Sequence, residues 1–81
     1  MGKAYSFKKV GHDQIHLFEG YFHLDQSCDA QHESICKKVK LDQGKWFDDH
    51  VCLTADTARL RAAEIGHVVC AECIRRLYSE F

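Results

Sequence analysis

The 81-residue chain contains no proline and no asparagine. The first absence removes proline-rich linkers and polyproline ligand segments from consideration. The second removes one of the side-chain amides that can hold a metal or a substrate. Long apolar runs are missing as well, so neither a membrane span nor the apolar core of a secretory leader is expected. There is no low-complexity tract and no repeat at a fixed period. An excess of one charge is also lacking: 11 Lys and Arg stand against 12 Asp and Glu, a net charge of −1. No global field is available to hold a polyanion, and a nucleic-acid role would need a local patch.

Five cysteines and six histidines are present instead. A chain of this size builds a core of marginal stability, so a staple is expected. An odd number of cysteines fits a disulfide framework poorly. Reduced thiols in a cytoplasmic protein, clustered with histidines, read as metal ligands first.

Along the chain, "KAYSFKKV" (residues 3–10) alternates with Tyr5 and Phe7 on one face, and "GHDQ" reads as a turn. "IHLFEGYFHL" (residues 15–24) favours extended structure, with Gly20 marking a bulge or a close backbone approach. The polar stretch "DQSCDAQHES" is a loop. A β-hairpin is expected from about Ser34 to Leu53, turning at "DQGK". Thr54 or Asp56 caps a helix over "DTARLRAAEI", Gly66 stands where it should end, and "AECIRRLYSEF" forms a final helix. The fold class expected is a small zinc-stabilised α+β domain spanning residues 1–81, with antiparallel hairpins, a short helix and a C-terminal helix that starts at a C-x-x-C knuckle.

That knuckle is "VVCAECIRRL", with Cys70 and Cys73. Two cysteines at this spacing can place both sulfurs on one Zn²⁺, and a helix start beneath them offers free N–H groups to the thiolates. A thioredoxin-type redox pair precedes most of its sheet, whereas only eight residues follow Cys73 here. Two buried, inert thiols are the plainer alternative. A knuckle is half a site. Cys36, followed by two lysines that favour its thiolate, is the expected third ligand. His23, His32 and Cys28 stand open for the fourth place, and His50 and Cys52 form a further pair on one strand face.

"FHL", a loop, "ESICKK", "LTAD" and "VVCAECIRRL" together resemble small uncharacterised zinc-ribbon-like or treble-clef-like proteins of bacteria and their phages, over roughly residues 22 to 78. That resemblance implies a Cys₃His zinc site of His23, Cys36, Cys70 and Cys73. The chain departs from the layout at Lys37, where glycine is usual, and in a helix inserted before the knuckle. A weaker resemblance links "FDDHVCL" and "VVCAEC" to the zinc fold of HNH nucleases, and implies Asp49 and His50 as the pair that activates water. The lack of asparagine and the presence of Ile74 just after the knuckle remove that family's usual metal holders.

No other catalytic arrangement stands out, and no small-molecule substrate is evident. Lys37, Lys38 and Lys40, with Arg75 and Arg76 on the last helix, are the candidate phosphate contacts if the metal gathers them on one side; solvated faces balanced by glutamates are the plainer reading. The function expected is a non-catalytic, zinc-binding regulatory or inhibitory module working through protein contacts, with a DNA- or RNA-binding role and an HNH-like nuclease as the alternatives.

Overall fold

The alternation of residues 3–10 becomes strand β1 (Lys3–Val10), and the chain returns as strand β2 (Gln14–Tyr21) after a turn entered through Gly11 at φ 71°. That backbone geometry suits glycine, which has no Cβ to clash. A computed structural model describes residues 2–11, 14–25, 27–47, 50–66 and 68–79. Strand β3 (Lys45–Trp46) pairs antiparallel with the other side of β1, giving the order β2-β1-β3. Helices α1 (Ala55–Ile65) and α2 (Ala71–Ser79) complete an α+β architecture.

Residues directly opposed in an antiparallel pair share a sheet face. Phe7 lies opposite Leu17 and Lys9 opposite Ile15, so Tyr5, Phe7, Ile15 and Leu17 face one way. They meet Ala58 and Ala62 of α1 and Cys73 and Leu77 of α2 in the core. Phe7, Leu17 and Leu77 are fully buried, each worth about 1.5–3 kcal/mol by transfer from water. The opposite face carries Ser6, Lys8, His16 and Phe18, and irregular loops cover it in place of a second sheet. Gly20 lies there beneath the Asp29 carbonyl, where a Cβ would stand only 1.9 Å from its oxygen. The close approach expected of this glycine is therefore real.

The helix signals hold. The Thr54 hydroxyl accepts from Thr57 N–H at 3.3 Å, and Gly66, at φ 85°, donates to the Ala62 carbonyl. Thr54 is thus the cap, and Asp56 sits in the first turn. Among the described residues the hairpin expected from Ser34 to Leu53 does not form. Residues 33–40 curl into a tight loop closed by a single Glu33–Lys40 bridge, while Lys45–Trp46 and Leu53 pair with β1. The open flank of β1 offered this segment a longer template than residues 34–41, which are turned back on themselves with Lys37 at φ 65°. Lysine here occupies a left-handed position that favours glycine.

Cys28 and Cys52 form a disulfide with a sequence separation of 24. The expectation that all thiols stay reduced is corrected for this pair, and Cys28 is removed as a thiolate ligand. A cross-link of that span should contribute about 3 kcal/mol by restricting the unfolded chain. A Cys28→Ala/Cys52→Ala double variant is expected to lose about that much in chemical denaturation. Alkylation after unfolding in chelator, without reductant, should modify Cys36, Cys70 and Cys73 and leave Cys28 and Cys52 untouched.

Candidate metal centre

β2 is an outer strand, and its free edge is where the cysteines gather. Ile15 N–H donates to Val68 O and Ile15 O accepts from Cys70 N–H, so the strand carrying His16 is locked beside the start of α2. Leu17 N–H points at Cys73 Sγ at 3.5 Å, and Leu17 O accepts from Ile35 N–H, which brings in the loop bearing Cys36. Further along, Glu19 O accepts from Gln31 N–H and Tyr21 O from Asp29 N–H. The carbonyls of Ile15, Leu17, Glu19 and Tyr21 on this edge thus each help to seat one of the surrounding segments.

His16, Cys36, Cys70 and Cys73 are all buried, and their ligand atoms lie within 4.8 Å of one another. His16 Nδ1 is 3.4 Å from Cys36 Sγ and 3.7 Å from Cys73 Sγ. Tetrahedral zinc with ordinary bond lengths would set such N to S edges at about 3.6 Å. The cluster therefore has the size and donor chemistry of a four-ligand metal site. Cys70 accepts at its carbonyl from Ile74 N–H, so it precedes α2 as a cap while Cys73 occupies the first turn.

The surroundings prepare each donor. Gln14 Oε1 lies 3.2 Å from His16 Nε2, a contact that holds the ring proton on Nε2 and leaves the Nδ1 lone pair for a metal. Burial, and secondarily the charge of Lys38, lowers the His16 pKa from 6.5 and keeps the ring neutral. Burial alone pushes the Cys36 thiol up, but the Ser34 hydroxyl, the Lys38 N–H and the two neighbouring thiols together outweigh it and bring it below its ordinary value. The Ser34 Oγ accepts from Val39 N–H and lies 3.1 Å from Cys36 Sγ, placed to give its own proton to that sulfur. For Cys73, burial dominates and raises the thiol, helped by the negative charge of Cys36 and Cys70 and only partly relieved by Leu17 N–H. Three thiolates cannot share a buried site without a cation. A divalent ion held by these four residues would supply that charge.

A pH dependence follows. The folded chain favours neutral His16, so the unfolded chain takes up a proton first as pH falls below the ordinary histidine value of 6.5. Stability is full above that value and declines below it. Protons also compete with the metal for its ligands, in the same direction. The denaturation midpoint, followed from about pH 8 to about pH 5, is expected to fall steadily from about pH 6.5 downward.

The structure brings Cys36, Cys70 and Cys73 together as expected and sets His16, not His23, beside them. His23 is half-exposed beyond the end of β2, where its Nε2 lies 3.7 Å from Asp29 Oδ2. His32 is exposed on the loop before Cys36. His16 was legible as a histidine followed by leucine within "IHLFEGYFHL", the same local pattern as His23; what distinguishes it is its place between buried strand residues. Of the nuclease pair, Asp49 lies outside the described residues, and the His50 ring packs edge-on against Phe7 and Phe47. Lys38 pairs with Glu72 at 3.7 Å and Lys40 with Glu33 at 3.4 Å. Lys37 and Arg76 line one cleft together with Glu19 and Glu33, and Arg75 is exposed on α2. No helix is long and apolar enough to cross a membrane among the described residues. No protein-family model, curated protein or solved structure matches the chain, so the reading of this centre rests on its own geometry.

Proposed function

We propose that the protein is a small zinc-clamped, non-catalytic module of the zinc-ribbon or treble-clef kind, which regulates or inhibits a larger protein by docking on it. The observation that carries this reading is the closed ligand set of His16, Cys36, Cys70 and Cys73. A catalytic zinc keeps one position for water or substrate beside three protein ligands, whereas four buried protein donors leave none. Three sulfurs and one imidazole favour zinc over the harder cations. The shared layout of loop cysteine, knuckle and helix is also what the resemblance to bacterial and phage zinc-ribbon-like proteins leads one to expect. A cytoplasmic setting suits the thiolates; the Cys28–Cys52 disulfide is more at home in an oxidising one.

Nucleic-acid binding is the second reading, favoured by the convergence of Lys37 and Arg76 on one cleft. It is opposed by Glu19 and Glu33 in the same cleft and by the acidic partners of Lys38 and Lys40. The test is native mass spectrometry joined to binding and cleavage assays. One zinc per chain, no cleavage of DNA or RNA with Mg²⁺ or Mn²⁺, and no retention on either at ~50 mM salt would support the protein-docking module. Steeply salt-dependent retention would establish the second reading in its place, and a metal-dependent cleavage lost in His50→Ala would establish the nuclease.

A further inference from the structure

The sheet face turned away from the helices holds a cleft of about 480 Å³. Ser6 and Lys8 of β1 form its base, Leu41, Trp46, Phe47 and Val51 its walls, and the Cys28–Cys52 disulfide closes one side. Its volume lies within the range of small-molecule sites. The walls are largely apolar, and the base carries a charge.

That charge is unusual in its surroundings. Lys8 is only 5% exposed. Its Nζ donates to the Leu41 carbonyl and stands 4.4 Å from the Trp46 ring centroid and 5.5 Å from that of Phe18. Among the described residues no carboxylate lies within 4.0 Å of this ammonium. Asp29 also lines the cleft, but its Oδ1 accepts from Tyr21 N–H at 2.8 Å and its Oδ2 faces His23. An ammonium has three donors, and one carbonyl takes one of them. The rings offset part of the charge. A buried ion nevertheless calls for a counter-ion with hydrogen-bonding oxygens. The cleft is the space in which one fits.

At the mouth, Trp46 and Val51 are 41% and 40% exposed. Apolar side chains standing beside a buried cation define a ligand with two ends. We propose that this cleft binds a small organic carboxylate, its head on Lys8 Nζ and an aromatic or branched apolar body against Trp46, Phe47 and Val51. A single ammonium matches a monoanion; a dianionic phosphate would leave one charge without a partner in an apolar setting. The site shares none of the four metal ligands, so it stands or falls independently of the metal reading.

Trp46 is the only tryptophan of the chain, so its emission reports on the cleft. Titrating 3-phenylpropanoate into the full chain as purified is expected to give a saturable change in that emission, with amide shifts centred on Ser6, Lys8 and Trp46. The neutral 3-phenylpropanamide and the cationic 3-phenylpropylamine should bind about tenfold more weakly or worse, the scale of a hydrogen bond to a charged group. Lys8→Met, which keeps the length and apolar stem, should lose affinity for the acid by a similar factor while keeping the circular dichroism of the folded chain. Should Lys8→Met fail to fold, Val51→Asp at the exposed rim sets a like charge against the ligand and should produce the same loss. No saturable response to the acid, equal binding of the amide, or shifts that map elsewhere would each overturn the proposal.

Discussion

Stripping the metal with a chelator at neutral pH, or replacing Cys73 by serine, is expected to abolish cooperative unfolding and the near-ultraviolet circular dichroism of the folded chain. An 81-residue domain has a stability of about 4–12 kcal/mol at ordinary per-residue values. A structural zinc contributes ~10 kcal/mol or more. A zinc bound by this cluster would therefore contribute as much as the whole. Cys73 is the most demanding position, because it is fully buried and its thiol is raised by burial, so without the ion it must stay protonated among two other thiols. Serine keeps the size but makes a poor ligand. The disulfide supplies about 3 kcal/mol, too little to replace the metal. A chelated protein with an unchanged melting curve would show that the three thiols are ordinary core residues.

The second large effect separates two histidines. His16→Ala is expected to lower zinc affinity, measured by competition with a chromophoric chelator, by more than the ~10–100-fold typical of losing a group that merely orients a ligand. His23→Ala should leave affinity unchanged, since that ring meets Asp29 and lies outside the cluster. Gln14→Ala, which releases the His16 Nε2 proton from its acceptor, should fall between them at ~10–100-fold. The opposite order, with His23 essential and His16 dispensable, would overturn the ligand set.

This contrast also marks how far the sequence could be read. Cys70 and Cys73 form a local motif, with an isolated bridge at Val69 before them and the start of α2 at Ala71 between them. Both helices and the first two strands follow from periodicity, caps and glycines that act within a few residues. His16 depends on something longer in range. It reaches the cluster because Ile15 bridges to Val69, 54 positions later, and no local pattern distinguishes "IHL" from "FHL". The same holds for Cys28 and Cys52: an odd cysteine count argues against a framework, yet five divides naturally into one bridge and three ligands. The hairpin expected over residues 34–53 fails for a related reason. The alternating pattern was there, but the partner of Lys45–Trp46 and Leu53 is β1.

The outer edge of β2 has a meaning beyond positioning. An unpaired strand edge is a template on which another chain can add its own strand. Here Cys73 Sγ accepts the Leu17 N–H that a neighbouring strand's carbonyl would otherwise take, and the segments seated by Ile15, Glu19 and Tyr21 cover the rest. Beneath that cover runs "IHLFEGY", rich in the branched and aromatic residues that build intermolecular sheets. Losing the ion would release the cover along with the helix. An ion held by the cluster would then also guard against fibrous self-association, because it would keep this strand edge covered.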